Sequence, residues 1–180
     1  MKFTGKIHTL GLVAAFALGG VTAATAAPDA PAQTKSSATK KDSDFLKKLA
    51  QTNIAEIEAG KLAQSKSKDE HVLEFSKHMI DDHTAGLNDV KKLADTKGVA
   101  LPAEPDKAHK DAAAKLSKLE GKQFDKAYLT NAGLKDHKAA KALATKVTTT
   151  ADDSEVKALG EKMLATINKH IQMVEDTVRK

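Results

Sequence analysis

From about residue 44 onward, apolar side chains return every three or four positions in four long runs separated by polar breaks. The first run is Leu46, Leu49, Asn53, Glu56, Gly60 and Ala63. That spacing places one face of a helix against a core and predicts a helix from Ser43 or Asp44 to about Lys66. The second run is Val72, Phe75, Met79, His83, Gly86, Leu87, Val90 and Leu93. Ser67-Lys68-Asp69-Glu70 has the capping-box pattern at its start, and Gly98 is a good residue to end it. The third run holds Phe124, Ala127, Tyr128, Leu129, Gly133, His137, Ala140, Leu143 and Ala144, predicting a helix from about Lys122 to Val147. Thr148-Thr149-Thr150 is expected to end it, because consecutive β-branched residues are poor helix formers. The fourth begins after Asp152-Asp153-Ser154-Glu155 and carries Val156, Leu159, Gly160, Met163, Leu164, Ile167, His170, Ile171, Val174 and Val178.

Short turns join helices one and two, and helices three and four, so each pair should form an antiparallel hairpin. The connection from Gly98 to Gly121 is longer, contains Pro102 and Pro105, and includes a short helical piece over about Lys107 to Leu119. Helices of roughly 27 residues are about 40 Å long. A short helix plus some ten extended residues covers that distance. The pattern predicts an all-α, ferritin-like four-helix bundle with one long crossover connection containing a short helix. An up-down-up-down bundle with an elaborate middle loop satisfies the same periodicity.

The residues before the first helix have a different character. Lys2 and Lys6, an apolar run from Leu10 to Val21, and Ala23-Ala24-Thr25-Ala26-Ala27-Pro28 make a secretory signal peptide over residues 1–26, cut after Ala26. The run is too short for a permanent membrane span. Residues 27–42 are Ala, Pro, Thr, Ser and Lys with little to bury and read as a disordered spacer, leaving 43–180 as a single domain. The expected product is a periplasmic or secreted protein without a transmembrane span in its mature form. The chain has no Cys, which removes disulfides, thiolate catalysis and Cys-type zinc sites. Its formal charge of +5 falls to +3 when Lys2 and Lys6 leave. With acids interleaved and only 3% aromatic residues, nothing suggests a nucleic-acid surface.

Several segments carry a family resemblance. They are Phe45-Leu46-Lys47-Lys48-Leu49-Ala50, Ala55-Glu56-Ile57-Glu58-Ala59-Gly60-Lys61-Leu62-Ala63, Met79-Ile80-Asp81-Asp82-His83, Leu116 to Gly121 with Phe124 to Leu129, and Asp136-His137. In this order the chain, from about Asp44 to Thr177, resembles the secreted bacterial family catalogued as domain of unknown function 4142. The resemblance implies an exported ferritin-like bundle and no activity. It also implies a Glu like Glu56 and histidines like His83, His137 and His170. Glu120 departs from the small or polar residue that members often carry before the glycine.

Glu56, His83, His137 and His170 are the candidate metal ligands, one on each long helix. A dinuclear carboxylate site needs Glu-x-x-His, and Ile80, Leu134 and Ile167 stand where those glutamates would be. Three imidazoles and one carboxylate suit one transition-metal ion (zinc, iron, manganese or copper). Asp82 and Asp136, each beside a candidate histidine, are available to orient imidazoles or to face water. Counted from the turns, Glu56 and His83 differ in height by roughly 6 Å, and His137 and His170 by roughly 7 Å. The competing reading makes the histidines neutral core residues bonded to one another, with Glu56 bonding one of them. His71, His78 and His109 read as surface residues, and Met79, Met163 and Met173 as core fillers. No nucleophile–base pair or phosphate loop is present. Two functions follow. One is a non-enzymatic envelope protein, such as a stress-related one, that binds an unknown partner or small ligand. The other is a metalloprotein for storage, transfer or redox chemistry.

Overall fold

The computed structural model describes residues 37–179, so the expected signal peptide and most of the expected spacer lie outside the described residues. All regular structure among the described residues is helical. It comprises α1 (Lys40–Lys66), α2 (Glu70–Lys97), α3 (Lys107–Leu116), α4 (Gly121–Tyr128), a π-helical segment (Leu129–Asp136), α5 (His137–Thr150) and α6 (Ser154–Val178). α4, the π segment and α5 follow one another without a break.

The inward stripes lie where the three-four spacing puts them. Leu46, Leu49, Asn53, Glu56, Gly60 and Ala63 are all buried on α1. On α6, Val156, Leu159, Gly160, Met163, Ile167, His170 and Val174 are buried, whereas Val178, expected inside, is 61% exposed near the helix end.

The helix ends differ from expectation, each for a local reason. α1 starts at Lys40 because the Thr39 side chain accepts a hydrogen bond from Asp42 N at 3.2 Å. Asp42 is in turn buried, accepting from Asp152 N at 2.9 Å and Asp153 N at 3.0 Å. The last residues assigned to the spacer are therefore helical. α2 is capped by Asp69, not Ser67; its carboxylate accepts from His71 N and Val72 N, while Ser67 Oγ accepts from Asp69 N. The three threonines do not stop α5. Thr149 and Thr150 donate their hydroxyls back to the carbonyls of Thr145 and Lys146, which accommodates them in the last turn.

Cross-helix pairs give the directions. Between α2 and α6, Asp82 meets His170, Asp89 meets Lys162, and Lys97 meets Asp153. Numbers rise on one helix as they fall on the other, so the two are antiparallel. Between α1 and the third long helix, Asp42 meets Asp152 and Asp153, Glu56 meets His137, and Lys66 meets Glu120. That pair is antiparallel too. α2 consequently runs the same way as α4–α5, and the segment between Gly98 and Glu120 carries the chain back along the helices. α3, within that segment, packs on α1.

The core has two apolar parts. One contains Phe45, Leu46, Leu49, Val90, Ala144, Val147 and Val156; the other contains Val72, Phe75, Met79, Phe124, Tyr128 and Val174. Between these clusters each long helix contributes buried polar side chains: Asn53 and Glu56, His83, His137, His170. The polar layer is buried in the middle of the domain.

Candidate metal centre

His83 is 4% exposed, and His137 and His170 are fully buried. The three rings face one another, with centroids 5.2–5.5 Å apart. His83 Nε2 lies 3.4 Å from His137 Nε2, and His137 Nε2 lies 3.2 Å from His170 Nδ1. A tetrahedral ion with metal–nitrogen bonds of about 2.0–2.1 Å has ligand–ligand edges of about 3.3 Å. The two separations match such edges. Among the described residues, these three histidines form a group whose ligand atoms all lie within 4.8 Å of one another.

The outer nitrogen of each ring decides where its proton sits. His137 Nδ1 is 2.9 Å from the Ala132 carbonyl oxygen, so it must carry hydrogen and donate. His170 Nε2 is 2.9 Å from the Asp82 carboxylate and likewise donates. His83 Nδ1 is 3.0 Å from Asn53 Oδ1. The Asn53 amide is oriented by its Nδ2, which donates to Leu49 O at 2.7 Å, so its oxygen is left to accept from His83. A neutral imidazole has one N–H and one lone pair. With all three protons turned outward, the lone pairs of His83 Nε2, His137 Nε2 and His170 Nδ1 point at a common gap. Lone pairs do not hydrogen-bond each other, so the gap suits a cation. An outward N–H held by a carbonyl or carboxylate is the usual arrangement around ligating histidines.

Electrostatics keeps the rings neutral. Burial pushes His137 down to about 4. Burial, together with the other two imidazoles, holds His83 well below its ordinary 6.5. Burial also lowers His170, opposed by the hydrogen bond and charge of Asp82.

Glu56, grouped with the histidines from the sequence, occupies a different position. Its Oε1 is 3.7 Å from His137 Nδ1, on the opposite side of the ring from the gap. His137 can present only one nitrogen to each side, and it presents Nε2 to the other imidazoles. Burial, and then the charge of Asp136, push the Glu56 carboxyl well above its usual range. Oε1 has no hydrogen-bond partner, and Glu56 borders a cavity of about 40 Å³ shared with Asp136 and His109. The α1 residue level with His83 is Asn53, one turn earlier. That accounts for the height mismatch between Glu56 and His83 counted from the turn.

Two features are not evident in the sequence stripes. Asp82 serves His170 on another helix, not its neighbour His83. The π segment ends immediately before His137, and its widened turns leave the Ala132 carbonyl for the His137 side chain. Gly133 allows that segment to sit close: a Cβ there would lie 2.6 Å from Val174 Cγ2 and 3.4 Å from Phe75 Cε1. His71 is exposed, as expected, while His78 and His109 are partly buried. His109 lies outside the polar layer; it sits in the first turn of α3 against Asp106, 2.8 Å away.

A family model described as a domain of unknown function, DUF4142, matches residues 26–177. None of the curated proteins matches the chain. The crystal structure of a DUF305 fragment from Deinococcus radiodurans is similar in fold, with a TM-score of 0.71 at 16% identity over 80% of this chain and 99% of that chain. At that identity the likeness concerns the fold alone.

Proposed function

Because the chain belongs to the DUF4142 family, whose name assigns no activity, function has to come from its own residues, and we propose that it is an exported protein that binds one transition-metal ion through His83, His137 and His170. The single observation that carries this reading is the convergence of three lone pairs, spaced 3.2 and 3.4 Å apart, with every outer N–H committed to an acceptor. Three neutral nitrogen donors suit zinc, copper or iron better than magnesium or calcium, which prefer oxygen. The antiparallel and parallel helix directions, with a chain-reversing segment containing α3, support a ferritin-like four-helix bundle with one crossover as the scaffold. Basic residues, an apolar run and an A-x-A site at the start of the chain support export to the periplasm or beyond.

The metal reading takes precedence over a purely structural polar layer because hydrogen bonding alone would turn at least one ring proton inward. Metal analysis of protein purified without a histidine tag tests it. The expected result is close to one ion per chain after reconstitution, lost in the doubly substituted His83→Ala, His170→Ala protein. Substoichiometric metal that is unaltered by those substitutions would leave the layer a structural one and return the non-enzymatic binding role to first place.

A further inference from the structure

We infer that the ion keeps one coordination position for a small exogenous anion, which reaches it through the pocket between α2 and α6; this rests on the metal reading above. Charge balance is the first reason. Three neutral imidazoles bring no charge to a buried divalent cation, and charge removed from water without compensation is costly. Asp82 supplies one negative charge, through its hydrogen bond from His170 Nε2 at 2.9 Å. Glu56 stands on the far side of His137 and does not reach the gap. A second negative charge therefore comes from outside the chain. Coordination number is the second reason, since three protein ligands on a tetrahedral ion leave one position open.

The pocket adjoins the three-histidine group at His83. His83 is the one ring of the three with any solvent contact. It forms a wall of a cavity of about 210 Å³ together with Asn53, Asp82, Gly86, Met163 and Ile167. A water molecule occupies about 30 Å³ of liquid, so a two- or three-atom anion fits with room to spare. At the rim Lys162 pairs with Asp89 at 2.7 Å, and Lys169 stands 3.6 Å from Asp82. The Lys162 ammonium borders the route, and Lys169 pairs with Asp82 beside it, offsetting the repulsion an anion would meet from Asp82 and Asp89. Met163 and Ile167 make the inner wall apolar, which favours a small, weakly hydrated anion over a large polar one.

Azide added to the cobalt(II)-loaded protein tests this, because tetrahedral cobalt absorbs in the visible and its bands follow the ligand set. Cobalt stoichiometry is measured first. The expected result is a saturable spectral change with azide in the wild-type protein. Lys162→Met, at an exposed position that leaves the fold intact, should weaken azide about tenfold, the size of losing one nearby opposite charge. Thr166→Trp, which fills the pocket, should weaken it further, and neither substitution should alter cobalt content. Cobalt bound one per chain with a spectrum indifferent to azide, or with azide affinity equal in wild type and both variants, overturns the inference while the metal reading stands. Failure to bind cobalt, zinc or copper overturns both.

Discussion

Each of the three imidazoles is aimed by an acceptor on its outer side, and those acceptors differ in kind: an amide oxygen, a backbone carbonyl and a carboxylate. Only two can be changed by substitution. Asn53→Leu removes the acceptor for His83 Nδ1–H and frees the ring to turn its proton inward. Asp82→Asn removes the charge that fixes the His170 tautomer. Each should lower metal affinity roughly 10–100-fold, the usual size for such supporting partners, with helical content retained. Competition against a chromogenic chelator measures it. Glu56→Gln is the control that separates the present geometry from a four-ligand site. Glu56 faces His137 Nδ1 rather than the gap, so the variant's affinity should match wild type. A loss comparable to that of His83→Ala would make Glu56 a ligand after all.

Among the elements, the π segment has the most leverage on the site, since it ends on His137 and presents Ala132 O to it. Gly133 lets it lie against Val174 and Phe75. Gly133→Ala forces a methyl to 2.6 Å from Val174 Cγ2. Overpacking of this kind costs about 1–3 kcal/mol. Urea unfolding should show that loss, and metal affinity should fall with it, because the displaced element leads directly into a ligand. A variant as stable as wild type with unchanged affinity would show that the segment tolerates displacement. The same element marks the boundary of what the sequence can tell. Apolar spacing locates the four stripes and puts three histidines inside, because burial repeats with the helical period. It cannot separate Asn53 from Glu56, one turn apart on the same face, since which turn lies level with His83 depends on where the α1–α2 turn begins. Helix ends depart from the pattern where remote or back-bonding partners act: Asp42 reaching Asp152 and Asp153, and Thr149 and Thr150 bonding earlier carbonyls. The π segment has no periodic signature of its own, since Leu129, Gly133 and His137 keep helical spacing.

At the scale of the whole molecule, three neutral rings buried in one layer make the metal-free protein sensitive to acid. An unfolded imidazole takes up a proton near 6.5. In the folded protein, burial holds His137 down to about 4 and His83 well below its ordinary value. Between those limits these two imidazoles bind more protons in the unfolded chain than in the folded one, so their contribution to stability falls as pH drops through about 6.5 and continues falling until the folded rings protonate. The buried Glu56 carboxyl, raised well above its usual range, acts in the opposite direction. His137 alone accounts for about 3 kcal/mol over that range, because each pH unit separating its folded and unfolded titrations is worth about 1.36 kcal/mol. At still lower pH a second loss begins at the helix ends. Burial acts to raise Asp153, but hydrogen bonds from Lys97 and from the Glu155 and Val156 amides outweigh it and hold the carboxyl below 3.8. That contribution is present above 3.8 and disappears as the folded carboxylate is protonated. Metal opposes the first loss because it binds the folded protein through the same lone pairs that protons would take. Thermal melts of chelator-treated protein should therefore show Tm changing less favourably between about pH 6.5 and about pH 4 in wild type than in His137→Leu, and a higher Tm throughout that range when metal is bound. If wild type and His137→Leu instead show the same change in Tm between about pH 6.5 and about pH 4, His137 accepts its proton where it stands and the neutral, buried state assigned to it is wrong.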